Sequence, residues 1–361
     1  MSRKLRVAVV GMGIGRNHLD AYKTLSDLYD IAAVCDLDAN KGAAAQKDYG
    51  ARLATPDFDG LLTSGQVDVV DICTPPNTHR ELVEKALQAG LHVICEKPLT
   101  GSLAAADAIS RVAATAKGTL SPIFQYRYGN GLQKLKHLQS LGLCGKPYLT
   151  TIETSWRRGA DYYDVPWRGK WASELGGCCL THAIHAHDIL SYVNGPIKNV
   201  FARAATRVNT IEVEDVAAIS VEMANGSLAT LAVTLGAAEE LSRIRFMFEH
   251  MTVESRSTHP YRPGDDPWHF KGMSPKIDAD IQAAIAVFKP SPESFAGQFA
   301  RIHAAIISAS PLPVTLADAR ASLELITAIY HSAETGAAVA LPIGAEHPKY
   351  QGWVPSTRRW R

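Results

Sequence analysis

Two apolar runs in this chain end in residues equipped for chemistry: Asp71-Ile-Cys-Thr-Pro-Pro-Asn-Thr-His79 and Leu91-His-Val-Ile-Cys-Glu-Lys-Pro98. The first closes in a rigid Thr-Pro-Pro turn and the second in a lysine. An ammonium group is costly to desolvate unless it is paired, so Lys97 at the end of a buried strand reads as a working residue. Ligands of an open parallel α/β sheet bind beyond the carboxyl ends of its strands, which is where both runs present these side chains. Pro98 is expected to follow a cis or otherwise constrained bond that orients Lys97, with Glu96 pointing the other way, toward a ribose or the domain junction.

A third constellation is Gly176-Gly-Cys-Cys-Leu-Thr-His-Ala-Ile-His-Ala-His-Asp188. It opens with a flexible pair and continues as a predicted helix over about 177–193. On that helix Thr181, His185 and Asp188 share a face, His182 lies at its edge and His187 lies well round the axis. Vicinal Cys178 and Cys179 beside three histidines raise a zinc reading, since thiolate and neutral imidazole are good zinc ligands. The helical spacing opposes it, no H-E-x-x-H or C-x-x-C pattern is present, and no metal is expected.

The elements that must position these residues are legible from periodicity. Leu5 to Val10 is a continuous apolar strand, followed by a predicted helix over about 17–28 and a strand from Ile31 to Cys35. Helices at 39–48, 77–89 and 102–116 then alternate with strands at 51–54, 67–73, 91–95 and 120–126. Such alternation predicts a doubly wound parallel sheet of the Rossmann type. The stretch Val7-Ala-Val-Val-Gly-Met-Gly-Ile-Gly-Arg-Asn-His18 supplies glycines after a strand and before a helix, the context in which backbone amides can receive a pyrophosphate. Gly15 and Arg16 depart from the G-x-G-x-x-G spacing, so the loop is expected to be one residue short. Asp36 ends the second strand, where a carboxylate accepts hydrogen bonds from ribose hydroxyls and repels a 2′-phosphate. That favours NAD, with NADP the alternative raised by Arg16. Asp36 could instead cap the next helix, a task that Asp38 could also perform.

Beyond residue 123 the grammar changes. After a helix near 130–141, β-rich segments follow at 147–157, 198–208, 215–223, 227–235 and 243–255, interrupted by the histidine helix and followed by helices at about 292–309 and 317–334. This predicts an α+β domain with a large, mostly antiparallel sheet over 123–361, after a dinucleotide-binding domain over 1–122. Asn225-Gly-Ser227 reads as a hairpin turn, and 256–280 reads as a long loop. Trp156-Arg-Arg-Gly-Ala-Asp-Tyr-Tyr163 and Trp167-Arg-Gly-Lys-Trp171 combine aromatic faces with guanidinium forks that suit a polyhydroxylated ring, although such runs also mark subunit contacts.

The glycine-rich start, the Thr-Pro-Pro turn, the Glu-Lys-Pro turn and the histidine segment together resemble the family of glucose-fructose oxidoreductase, inositol 2-dehydrogenase and rhizopine-catabolism proteins (Gfo/Idh/MocA). The likeness spans nearly the whole chain. It implies an oxidoreductase that moves a hydride between nicotinamide and a hydroxyl or ketone of a sugar, sugar derivative or cyclitol. It places Lys97 beside nicotinamide and substrate, and it carries over Gly11, Gly13, Ile14, Gly15, Asp36, Thr74, Pro75, Asn77, His79, Glu96, Lys97 and Arg168 as cofactor neighbours. Substrate contacts fall to Lys97, Trp156, Arg158, Thr181, His182 and His185. The family pattern Asp-x-x-x-His-x-x-Asp is met at His185 and Asp188, but Thr181 replaces the first Asp. His185 is expected as acid/base and Lys97 as its hydrogen-bonding or proton-relay partner, with the two roles interchangeable. The rival reading is a nucleotide-binding sensor or scaffold that lost turnover, and a metal-dependent lyase is a weaker third.

Composition sets the bounds. A chain of 361 residues with 46% hydrophobic and 20% charged residues can fill two cores. A net charge of +1 gives no electrostatic reason to expect nucleic acid or an anionic membrane as partner. The basic run Thr357-Arg-Arg-Trp-Arg361 reads as a tail. Six cysteines, three of them in predicted buried strands, read as free thiols of a cytoplasmic protein. A homodimer or homotetramer through the exposed face of the antiparallel sheet is implied by the resemblance.

Overall fold

The computed structural model describes residues 3–355, so the basic run Thr357–Arg361 lies outside the described residues. The chain forms two compact units. One comprises the residues up to Phe124 together with Phe295–Arg320, and the other comprises Gln125–Ser294 with the residues from Ala321 onward.

In the first unit the strands β1 (Leu5–Val10), β2 (Tyr29–Cys35), β3 (Leu53–Thr55), β4 (Val69–Ile72), β5 (His92–Cys95) and β6 (Leu120–Pro122) form one sheet in the order β3-β2-β1-β4-β5-β6. Every pairing is parallel, as the alternation of elements predicts. The strand order reverses at β1, and the carboxyl ends of β1, β4 and β5 therefore carry the glycine loop, the Thr-Pro-Pro turn and the Glu-Lys-Pro turn side by side. The continuous apolar runs form central strands because both faces are covered: Val7, Val9, Val69, Val70, Ile72 and Ile94 are fully buried. Helix Ser294–Ser308 returns to this unit and lays Phe299 and Ile302 into the cluster around Val7, Val9, Leu19 and Tyr22. Full burial of a Phe side chain contributes about 2 to 3 kcal/mol.

Local differences from the expected elements have local causes. The first helix runs Gly15–Thr24, since the glycine loop turns straight into it. Helix Phe58–Thr63 has only Leu61 and Leu62 as buried apolar residues, too few to show a period. β6 stops at Pro122, which brings no amide hydrogen to a ladder, and the expected strand 120–126 gives way to a 3₁₀ turn, Gln125–Tyr128.

The second unit is built on β7 (Pro147–Arg157), β8 (Ile197–Ala205), β9 (Val216–Met223), β10 (Leu228–Thr234), β11 (Gly236–Phe248), β12 (Met251–Ser255), β13 (Trp268–Gly272) and β14 (Val339–Ala340), in the order β13-β12-β11-β7-β10-β9-β8-β14. Only β7 with β10 is parallel. Alternation is strict: Val200, Ala202, Ile219, Val221, Leu231 and Val233 point into the core, while Phe201, Arg203, Ser220, Thr230 and Ala232 face outward. The covered face meets helix Ile184–Asn194, tied down by Asn194 Nδ2 to Thr150 Oγ1 at 2.8 Å, and the 321–335 part of helix Leu316–Thr335, tied by Ala202 N to Ser332 Oγ at 2.9 Å.

Three expectations change here. The segment 243–255 is two strands, and 256–280 is not one loop: Arg256–Pro267 is irregular, then β13 and helix Pro275–Ala286 follow, the helix capped by Ser274. A five-residue alternation behind a proline is too short to announce a strand. The histidine segment is not one helix but Cys178–Thr181 and Ile184–Asn194, broken at His182 and Ala183. Asn225–Ser227 is the hairpin turn between β9 and β10, with Gly226 at φ 86°.

Candidate active site

The first unit holds a loop whose glycines each have a distinct physical reason. Gly11 adopts φ +94°, and a Cβ there would meet the Cys73 carbonyl oxygen at 2.7 Å. Gly15 packs its helix against β1, a Cβ meeting Val9 Cγ1 at 3.0 Å. A Cβ on Gly13 would meet nothing within 4 Å, so this is the open point where a ligand can approach the backbone. Gly15 thus packs the helix against β1 from the fifth place of the pattern, where the usual spacing has the sixth. Exposed Ile14 precedes a helix with no side-chain cap and no acidic residue in its first turn, leaving the positive end of the helix for an anion.

Asp36 stands at the end of β2 with Oδ2 accepting from Met12 N at 2.7 Å and Oδ1 accepting from Asp38 N at 2.8 Å. Asp38, not Asp36, caps helix Ala39–Tyr49. Each carboxylate oxygen accepts more than one hydrogen bond, so Asp36 keeps capacity for a diol. Arg16, the argument for NADP, pairs instead with Asp48 at 3.0 Å. These residues fit a dinucleotide with an unsubstituted ribose.

Beyond β4, Thr74 is hydrogen-bonded to Thr78 at 2.6 Å and Thr78 donates to the Pro75 carbonyl at 2.8 Å, which stiffens the turn and leaves Asn77 exposed. His79, expected as a cofactor neighbour, is fully buried, with Nε2 2.8 Å from the Thr74 carbonyl and Nδ1 2.8 Å from that of Pro98. Its ring therefore ties the two turns together rather than reaching a ligand. Burial outweighs those contacts and lowers the His79 pKa. Lys97 is the one residue of Val93–Thr100 that is not buried, and the Lys97–Pro98 bond is cis. Glu96, expected to point toward the ribose or the domain junction, turns inward instead: Oε1 lies 3.0 Å from His18 Nε2, and Oε2 accepts from Lys97 N at 3.0 Å.

In the second unit, β7 carries Trp156 next to its final residue, Arg157, and the Trp156 Nε1 donates to Ser242 Oγ at 2.9 Å. The Arg158 guanidinium carbon lies 5.2 Å from each of the rings of Trp156, Tyr162 and Tyr261. Its Nη1 donates to Glu240 Oε1 at 2.8 Å and to Tyr261 Oη at 3.2 Å, and Tyr261 Oη donates to Glu240 Oε2 at 2.5 Å. An aromatic wall with the Arg158 charge met by Glu240 results. His182 joins that wall, 5.8 Å from the Trp156 ring and 5.5 Å from Tyr162. Arg168 lies 3.7 Å over Tyr162 and donates to the Tyr162 carbonyl at 3.0 Å, so it buttresses the same wall.

The break in the histidine helix rearranges its residues. Thr181 donates to the Gly177 carbonyl at 2.9 Å and accepts from His182 Nδ1 at 2.8 Å, so the residue in the carboxylate position is joined to His182. His185, on the second helix, packs its buried ring on Tyr126 at 4.7 Å. Asp188 forms a buried two-pronged pair with Arg127 at 2.6 and 2.7 Å. His187 is buried with neither ring nitrogen hydrogen-bonded, and burial holds its pKa down at about 3, so it stays neutral.

Sequence reasoning missed Glu214. This fully buried carboxylate accepts from Cys179 N at 3.0 Å, Gly177 N at 3.1 Å and Tyr330 Oη at 2.9 Å, and so sets the Gly-Gly turn that starts the histidine segment. Burial pushes its pKa up to about 7. Cys178, Cys179 and Glu214 form one group close enough to share a metal, and His18, Asp71 and Cys73 another. In both, the carboxylate is already engaged by protein donors, and His182 and His187 join neither, so the zinc reading as posed does not assemble. All six cysteines are free and buried. Tyr126 and Tyr261 were also missed as partners of the named residues, because a 3₁₀ turn and an irregular segment bring them in.

Comparison with known proteins adds to this geometry. Residues 5–124 match a model described as "Oxidoreductase family, NAD-binding Rossmann fold", and 132–254 match "GFO/IDH/MocA C-terminal domain". The chain is 28% identical to D-glucoside 3-dehydrogenase of Escherichia coli over 94% of this chain and 98% of that protein. It is 31% identical to myo-inositol 2-dehydrogenase of Thermotoga maritima over 57% of this chain and 60% of that one. The crystal structure of the WlbA dehydrogenase from Bordetella pertussis, in complex with NADH and UDP-GlcNAcA, superposes with a TM-score of 0.83 at 27% identity, covering 95% of this chain and 100% of that one.

Proposed function

Because this chain belongs to the Gfo/Idh/MocA oxidoreductase family, we propose that Lys97 and His185 are the proton-handling pair of its reaction. The protein is an NAD-dependent dehydrogenase that interconverts a secondary hydroxyl and a ketone of a sugar, sugar derivative or cyclitol. Hydride acceptance or donation is the chemistry supplied by the bound nicotinamide. The chain must supply a base for the hydroxyl proton and a positive group for the developing alkoxide. As the carbon's hydrogen departs as hydride with the C–H electron pair, the O–H proton passes to the base and the carbonyl forms. His185 is the base and Lys97 the hydrogen-bonding relay, or the reverse.

The observation that carries this reading is Lys97, the one residue of a buried run left accessible, beyond the carboxyl end of β5, which β4 separates from the glycine-loop strand β1. Supporting it, the wall of Trp156, Tyr162, Tyr261 and His182 has its Arg158 charge met by Glu240 and suits a neutral polyhydroxylated ring. Residues 1–122 bind the dinucleotide, and 123–361 supply substrate binding and the oligomer contact, with helix Ser294–Ser308 returning under the dinucleotide sheet. A homodimer or homotetramer through the exposed face of the mostly antiparallel sheet β7–β14 and a cytoplasmic location complete the proposal. Among the described residues no helix is long and apolar enough to cross a membrane. The test is a panel of sugars, glycosides and cyclitols, followed by absorbance of the reduced cofactor with NAD. Reduction by at least one member that is abolished in Lys97→Ala supports the reading. A panel without single-turnover reduction overturns it in favour of a sensor.

A further inference from the structure

The buried cluster behind the Glu-Lys-Pro turn carries an inference of its own. His18 sits in the first turns of helix Gly15–Thr24 and is fully buried. Its Nδ1 is 2.8 Å from Asp71 Oδ2, and its Nε2 is 3.0 Å from Glu96 Oε1. Around it stand Cys73 Sγ at 3.3 Å from Nδ1, Tyr22 Oη donating to the same Asp71 oxygen at 2.8 Å, and the rings of Phe295 and Phe299 at 4.3 and 5.2 Å. Asp71 and Cys73 come from the end of β4, Glu96 follows β5, Tyr22 shares the helix, and the two phenylalanines come from the returning helix. We propose that His18 is a positioning residue for Lys97, holding through Glu96 the turn that presents the lysine and tying that turn to the helix behind the glycine loop. The inference rests on Lys97 being catalytic.

The hydrogen-bond count supports this role. Each of the two N···O contacts needs a proton, and a neutral imidazole carries only one. Burial opposes a charge on His18, but the Asp71 carboxylate overrides it and holds the histidine well above its ordinary value. A doubly donating His18 then satisfies both carboxylates. Glu96 is left with Oε2 to accept from Lys97 N at 3.0 Å. An unmade hydrogen bond to a buried carboxylate is expensive, so this chain of contacts has little freedom. The single helix that follows the glycine loop thereby reaches the backbone of the lysine.

Two substitutions separate position from bulk stability. His18→Asn cannot reach both carboxylates. Glu96→Gln can keep every contact if His18 becomes neutral: the amide donates to Nε2, Nδ1–H still donates to Asp71, and the amide oxygen accepts from Lys97 N. In the full-length protein, His18→Asn is expected to lower kcat at least tenfold while the NADH dissociation constant, from fluorescence titration, changes less than about threefold. Glu96→Ala should behave like His18→Asn, and Glu96→Gln should turn over at least about threefold faster than Glu96→Ala. Trace acetylation read by peptide mass spectrometry should show Lys97 reacting at least threefold faster in His18→Asn, relative to exposed Lys198. The double variant His18→Asn/Glu96→Ala should be no slower than the worse single. Should His18→Asn fail to fold, Glu96→Ala carries the same comparison. A folded His18→Asn with parental kcat and parental Lys97 reactivity overturns the inference, as does a loss of NADH affinity matching the loss of kcat. If Lys97→Ala itself retains turnover, the proposed site has failed; if only the His18 comparison fails, the site stands and this coupling does not.

Discussion

Replacing Asp36 by asparagine removes one charge while keeping the side-chain shape, and its effect on cofactor choice can be worked from the geometry. Asp36 is half-buried and receives Met12 N and Asp38 N at 2.7 and 2.8 Å. A ribose 2′-phosphate bound at the end of β2 would face this carboxylate. Like unit charges about 4 Å apart repel by about 1 kcal/mol in water and about 4 kcal/mol at the effective dielectric of a protein surface. A half-buried group lies between, so about 2 kcal/mol, or about 30-fold, of NADPH affinity is withheld. The variant should recover that factor. For NADH, two charge-assisted hydrogen bonds to the diol become neutral ones, a loss of about 1 kcal/mol or about fivefold. The preference for NADH over NADPH should therefore narrow by about a hundredfold. Fluorescence titration of both reduced cofactors, at one low ionic strength because salt screens the effect, measures the ratio. The Met12 contact affects both cofactors alike and cancels from it. A parent protein that binds NADPH as tightly as NADH, or a ratio that moves less than about threefold in the variant, refutes the assignment of Asp36.

Lys97→Ala and His185→Ala should each lower turnover at least about a hundredfold, the low end of acid/base contributions, with NADH affinity largely kept; parental turnover in both at saturating substrate would leave Trp156, Arg158 and His182 as the next places to look. Thr181→Asp puts a carboxylate against His182 Nδ1, now 2.8 Å from the threonine oxygen, and with His185 as the base should change KM more than the pH–rate profile; a shift of the apparent pKa of turnover by about one unit or more would move the base from His185 to His182. Glu214 has its folded pKa raised to about 7 from 4.5, so the folded state holds a proton that the unfolded chain releases. Stability should then fall as pH rises from about 4.5 to about 7, by up to about 3 kcal/mol, and level off above; denaturant titrations of Glu214→Gln should lack this slope. Gly11→Ala combines a positive φ with a Cβ 2.7 Å from the Cys73 carbonyl oxygen and should cost at least about 1 to 2 kcal/mol together with NADH binding, read by melting temperature and titration.

The first unit was legible because its signals are local. Continuous apolar strands, intervening helices, the glycines at 11 and 13, Asp36 at a strand end and Lys97 at another each lie within a few residues of the feature that explains them. A parallel sheet then places those strand ends together whatever the rest of the chain does. The antiparallel sheet was likewise readable from period-two alternation at β8, β9 and β10, but β13 and helix Pro275–Ala286 were hidden inside an expected loop because their patterns are short. What only the tertiary structure decided are pairings between residues far apart in the chain: His18 with Asp71 and Glu96, Arg127 with Asp188, Arg158 with Glu240 and Tyr261, and Glu214 under Gly177 and Cys179. The break at His182 and Ala183 belongs with them. Helical spacing alone put Thr181, His185 and Asp188 on one face, yet Glu214 holds the start of the segment and Arg127 holds Asp188, so Thr181 serves His182 and His185 rests on Tyr126. Spacing along a chain constrains neighbours within a turn or a strand. Which buried charge meets which partner is settled by the packing that removes water from both.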